Sequence, residues 1–213
     1  GKAKAVYKVK TGPKVGEKVN GYEACGGSSP TAVTATADKV FVSNEHTDTI
    51  AVFKASTGKM IKEISLIPTK ELGALKGVMP FGLALSPDGT RLYVAEAGIN
   101  AVAVIDTTKL AVLGHIPVGW WPSMVRVTAD GSKLLVTNAK GYGSGPNAGP
   151  KFIAGVDGTY VGRLMKGTLS IIPLPVDAQL KDGTAQVVKN NGFVPVTGEA
   201  PLKPVSRTYG SPS

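Results

Sequence analysis

Three stretches of this sequence repeat one another, and that repeat limits what the chain can fold into more than any other feature. Each unit opens on a proline, and Pro30, Pro80 and Pro122 stand 50 and 42 residues apart. The first unit continues through Ala32-Val33-Thr34-Ala35, Ala37-Asp38, Val40-Phe41-Val42-Ser43-Asn44 and Thr49-Ile50-Ala51-Val52-Phe53. The second runs Gly82-Leu83-Ala84-Leu85, Ser86-Pro87-Asp88-Gly89, Leu92-Tyr93-Val94-Ala95-Glu96 and Ala101-Val102-Ala103-Val104-Ile105. The third runs Met124-Val125-Arg126-Val127, Ala129-Asp130-Gly131, Leu134-Leu135-Val136-Thr137-Asn138 and, after an interruption, Thr168-Leu169-Ser170-Ile171-Ile172. A period in the forties with four short strands per unit marks a propeller blade. Asp88-Gly89 and Asp130-Gly131 supply the positive φ of a tight hairpin.

The fold class expected is therefore all-β: a β-propeller of four-stranded antiparallel blades. About three blades fall in this chain, plus outer strands of a preceding blade. Residues 1–19 read as those outer strands and residues 20–190 as the partial propeller, with a rim insertion at 139–167. Residues 191–213, with Pro201, Pro204 and Pro212, read as an extended linker. Three blades are fewer than the four to eight that close a ring, and an open stack leaves two apolar faces bare. The expectation is that the missing blades come from outside these residues: from another chain or from a second copy.

Composition agrees. The chain has 213 residues with 27 glycines and 15 prolines, a density of breakers that turn-rich β folds carry and helical folds rarely do. With 42% hydrophobic and 18% charged residues it is too apolar for intrinsic disorder. Its one cysteine, Cys25, excludes an intrachain disulfide and a four-cysteine zinc site, and reads as a small buried or interface residue rather than a nucleophile. No apolar run approaches the roughly 20 residues of a membrane span, and no signal peptide opens the chain. The net charge of +9 includes Lys2, Lys4, Lys8, Lys10, Lys14 and Lys18. Their spacing in the first stretch reads as the wet face of a strand rather than a nucleic-acid arm.

Strand alternation places the connection into each innermost strand and the connection between second and third strands on one rim. The opposite rim receives only short turns. Loops on rigid scaffolds carry function, so the first rim is the candidate binding face. Its candidate residues are Glu45, His46, Glu96, Asn100, Trp120, Trp121, Asn138, Lys140 and Tyr142. Arg126, on the innermost strand, joins them by pointing into the channel or pairing with a carboxylate. Trp120-Trp121 could form a stacking platform, or one indole could pack between blades. Glu45, His46 and Asp48 read as a solvated loop rather than a metal cluster. Glu96, Asn100, Asn44, Glu45 and Asn138 occupy equivalent positions in successive blades. A ring of such oxygens could hold Ca²⁺ or another divalent cation on the axis, with Glu96 and Asn138 as the metal candidates. The competing reading is that the asparagines cap loops. The 139–167 insertion is Gly-rich, then carries Phe152, Tyr160, Leu164 and Met165, which argue for docking rather than a bare linker. No esterase elbow, zincin or phosphate-loop motif occurs, so the chain offers no self-contained catalytic site.

Ser86-Pro87-Asp88-Gly89-Thr90-Arg91-Leu92-Tyr93-Val94-Ala95 resembles the YVTN-repeat, or surface-layer-type, β-propellers. Four further stretches look like the last blades of a bacterial subgroup in which such a propeller precedes a phosphoesterase domain of the alkaline-phosphatase superfamily. They are Gly119-Trp120-Trp121-Pro122, the run Asn138 to Asn147, Gly158-Thr159-Tyr160-Val161-Gly162, and Lys166-Gly167-Thr168-Leu169-Ser170-Ile171-Ile172-Pro173. Asn190-Asn191-Gly192-Phe193-Val194-Pro195 resembles the linker between the two domains. The resemblance implies a non-catalytic docking module in an exported, periplasmic or extracellular, bacterial protein, with a phosphoesterase domain as partner and a phosphate-bearing ligand. The alternatives are a metal-dependent, lactonase-like propeller hydrolase and a ligand- or nucleic-acid-binding propeller.

Overall fold

Six consecutive residues of one strand, Ala101 to Asp106, are all buried. A strand buried on both faces needs a packed layer on each side. In the computed structural model, which describes residues 8–12, 15–19, 22–23, 27–72, 76–141 and 165–193, those layers are two further sheets. A short hairpin of β1 (Lys18–Val19) and β2 (Tyr22–Glu23) comes first. Blade one is β3 (Pro30–Ala35), β4 (Lys39–Asn44), β5 (Thr49–Lys54) and β6 (Met60–Ser65). Blade two is β7 (Pro80–Leu85), β8 (Arg91–Glu96), β9 (Ala101–Asp106) and β10 (Ala111–Pro117). Blade three has three strands, β11 (Trp120–Val127), β12 (Lys133–Gly141) and β13 (Thr168–Pro173). Each sheet is an antiparallel meander in chain order. The sheets meet along their first strands, so β3, β7 and β11 are innermost.

Alternation along each strand sends side chains into two cores. Leu92, Val94, Ala103 and Ile105 face blade one and pack with Phe41, Ile50 and Val52. Tyr93, Ala95, Val102 and Val104 face blade three and pack with Val125, Leu134 and Val136. Each large side chain buried this way contributes about 1.5–3 kcal/mol. The far turns are tied by aspartates. Asp88 accepts from the Ser86 and Thr90 hydroxyls and from the Thr90 amide; Asp130 does the same with Thr128 and Ser132. The outer face of blade three is bare: Leu169 and Ile171 on β13 are more than half exposed.

One element departs from the expected all-strand propeller. Residues 177–190, read from the sequence as part of a blade, form helix α1 (Asp177–Asn190). Its start is held by Gln179, whose Oε1 accepts the Val176 amide at 3.1 Å. Instead of pairing with β13, the chain turns back and lays α1 on β10, burying Leu180 and Val187. The helix covers the edge of blade two: the His115 amide donates to Thr184 Oγ1 at 2.9 Å. Gly183 permits the approach, because a Cβ there would lie 2.3 Å from the His115 carbonyl oxygen. Gly183→Ala would gain about 1 kcal/mol of helix propensity but overpack the seam by about 1–3 kcal/mol. The expected result is a lower urea midpoint; an unchanged or higher one would mean that α1 is not seated on β10. Among the described residues, no helix is long and apolar enough to cross a membrane.

Candidate functional site

The first rim is built from left-handed residues. Ser29 (φ 52°) and Met79 (φ 55°) each precede the proline that opens an innermost strand, and Trp121 (φ 59°) precedes Pro122 near the start of β11. Asp48 (φ 54°) and Asn100 (φ 55°) sit just before the third strands of blades one and two. Positive φ is costly for residues with a Cβ and persists only where neighbours hold it. These residues hold each other. Asp48 of blade one accepts the amides of Gly77 and Met79, both at 2.9 Å, as the chain enters blade two. Asn100 of blade two accepts the amide of Trp121 at 2.9 Å as the chain enters blade three. The same latch thus joins each pair of blades. The inner strands add further bonds, from Thr31 to the Pro80 carbonyl and from Ser43 to the Phe81 carbonyl.

The latch fixes Trp121, and Lys140 of β12 places its ammonium 3.7 Å from the indole centroid. That is a cation–π contact. Trp120 beside it is half exposed. Asn100, Trp121 and Lys140 therefore gather on one stretch of rim, and Trp120, next in the chain, lines a hollow with Leu169 and Ile171 of β13. Arg126 lies on the innermost strand of blade three. Its guanidinium donates to the backbone carbonyls of Leu83 and Val125.

The remaining rim residues do not join this cluster. Glu45 and His46 pair with each other at 3.3 Å, with His46 open to solvent. Tyr142, Cys25 and most of the 139–167 insertion lie outside the described residues. Asn44, Glu96 and Asn138 do occupy equivalent positions, each near the end of a second strand, and each is fully buried. Their polar atoms turn into their own blades. Asn44 accepts from Ser28 Oγ and donates to Thr49 Oγ1. Asn138 donates to Thr168 Oγ1 and Ser170 Oγ, while its Oδ1 is buried without a hydrogen-bond partner. Among the described residues, no group of three or more His, Cys, Asp or Glu is placed to hold a metal ion.

Glu96 breaks this pattern. Where blades one and three pair the buried asparagine with a threonine that opens the third strand, blade two has Ala101. The carboxylate turns instead to the outermost strand, and Glu96 Oε1 lies 3.5 Å from His115 Nε2, both side chains almost wholly buried. Strand register makes the pair: Val94, Ala103 and His115 form one row, and Glu96 and Ala101 share their face. Burial raises the pKa of Glu96 above its ordinary 4.5 against the pull of His115. Burial alone would lower that of His115, but the Glu96 carboxylate outweighs it, and His115 is raised above 6.5. The sequence singles out Glu96 and gives no sign of His115, which lies on another strand. The legible signal was the row Asn44, Glu96, Asn138 read against Thr49, Ala101, Thr168.

Stacked antiparallel blades meeting along their first strands define a β-propeller. The sequence model of the lactonase seven-bladed β-propeller matches residues 5–142, and the chain belongs to that family. Neither the YVTN repeat type nor the phosphoesterase association is part of that match. Solved structures similar to the chain include the hydrazine synthase of Kuenenia stuttgartiensis, at 26% identity over 58% of this chain and 33% of that one, with a TM-score of 0.48. A putative 6-phosphogluconolactonase of Bacteroides fragilis shares 22% identity over 55% of this chain and 34% of that one, TM-score 0.46. Another, from Bacteroides uniformis, shares 21% over 54% and 34%, TM-score 0.46. The chain spans about a third of the length of these structures. No curated protein matches it.

Proposed function

We propose that the chain is part of a lactonase-type propeller whose ligand site lies on the first rim at Asn100, Trp120, Trp121 and Lys140. Family membership over residues 5–142 carries this reading and favours it over a docking module for a phosphoesterase. The rim chemistry supports it: an indole face stacks on a sugar-like ring, and Lys140 offers charge to a carboxylate or phosphate. The central cation of lactonase-type propellers does not fit the described residues. The Glu96 carboxylate faces His115 in the interior, the Asn44 amide is engaged within its blade, and Asn138 Oδ1, though buried without a hydrogen-bond partner, is one oxygen rather than a ligand set. No step is therefore derived through a metal.

The test is a tryptophan-fluorescence titration of the 213-residue chain with 6-phosphogluconate, the stable open form of a phosphosugar lactone. Saturable quenching is expected, weakened about fivefold or more by Lys140→Ala and lost with Trp120→Ala, given the strength of a partly desolvated cation–π and stacking site. Quenching that does not saturate, or that ignores both substitutions, would refute the assignment.

A further inference from the structure

Where α1 crosses β10, a groove of about 630 Å³ opens between segments far apart in sequence. One lip is the loop after β6, ending at Lys70. The other is α1, through Lys181, Ala185 and Val188. The floor is the bulged part of β10 from Val112 to His115. This is the outer flank of blade two, on a different element from the rim cluster. The volume is that of a small-molecule site.

The chemistry of the lining is one-sided. Lys70 and Lys181 are exposed, and neither is in an ion pair among the described residues. No Asp or Glu is among the described lining residues. At the floor His115 is 1% exposed, and neither ring nitrogen makes a well-formed hydrogen bond. Its charge is balanced from behind by Glu96, so the floor offers no net attraction to an anion. The positive charge stands at the mouth, Lys70 with Glu71 beside it and Lys181 across the groove, and the apolar surface lies inside.

We propose that this groove binds a small amphipathic monoanion. An aliphatic or aryl body seats against Val112 and Val188, and a carboxylate or sulfonate is held at the lips by Lys70 and Lys181. Such binding should weaken as salt screens the two exposed lysines.

The probe is 1-anilinonaphthalene-8-sulfonate, compared with its uncharged analogue N-phenyl-1-naphthylamine, on the 213-residue chain. The anionic dye is expected to bind saturably. Lys70→Glu with Lys181→Glu should weaken it about tenfold or more, while shifting the neutral dye less than about twofold. Ala185→Trp, which fills the groove from an exposed helix position, should block both dyes. The charge-reversal pair lies on the surface, so it tests the proposal even if the tryptophan disturbs α1. Absence of saturable binding would overturn the proposal, as would equal loss of both dyes on charge reversal. So would loss in Leu169→Lys with Ile171→Lys, which would place the dye on the bare sheet of blade three.

Discussion

Glu96→Ala should destabilise the chain by about 3–5 kcal/mol, the typical cost of removing one partner from a buried ion pair. Urea unfolding measures it. The cost arises because His115 is left in the interior without its carboxylate. The control is Glu96→Leu with His115→Leu, which removes both buried partners together and should lose much less. The pair also gives stability a pH signature. Both groups have raised pKa values in the folded protein, so the folded state holds their protons more tightly than the unfolded one. The contribution of His115 is fully present below its ordinary 6.5 and is lost as pH rises through its folded value. That of Glu96 is fully present below 4.5 and fades above it in the same sense. In Glu96→Gln the pull of the carboxylate is gone, and burial, the largest influence on His115, outweighs its remaining interaction with the Leu66 backbone; its pKa is depressed and the sign reverses. That variant should lose stability as pH falls through and below 6.5. Parallel pH profiles for the two proteins would show that Glu96 and His115 do not interact.

Asp48→Ala should cost about 2–4 kcal/mol. It removes two hydrogen bonds at a blade boundary, each at a net of about 0.5–1.5 kcal/mol, and puts alanine at a left-handed φ, at about 1 kcal/mol. Asn100→Ala removes one such bond and should cost less than Asp48→Ala. Asp48→Asn keeps an acceptor oxygen and a residue that tolerates the left-handed region, so it should fall between wild type and Asp48→Ala. Urea midpoints rank the three. Equal midpoints for all would mean that the latches do not bear on blade stacking.

The blades were legible because their signals are local. Asp88-Gly89 and the alternation in Ala101 to Ile105 report hairpins and doubly buried strands without reference to the rest of the chain. Helix α1 was not read as one, although Leu180 and Val187 are two turns apart on one face. Gly183 in its middle argues against a helix unless the close approach to His115 is known. The rim latch was half visible. Each left-handed residue precedes a proline or ends a loop, but that Asp48 reaches Met79 follows only from blade stacking. Glu96 and His115 meet through strand register across β8, β9 and β10, which no spacing in the sequence reveals. The Trp121–Lys140 contact needed β11 and β12 to be paired at the rim.

Amide hydrogen exchange at Gly77, Met79 and Trp121 tests the stacking of the three blades, and with it the rim on which the proposed ligand site stands. Each of these amides lies where the chain enters a new blade, and its hydrogen-bond acceptor belongs to the preceding blade. If the blades are latched, all three exchange as slowly as the amides of the central strands β5 and β9. Exchange at the rate of open loops would contradict the account.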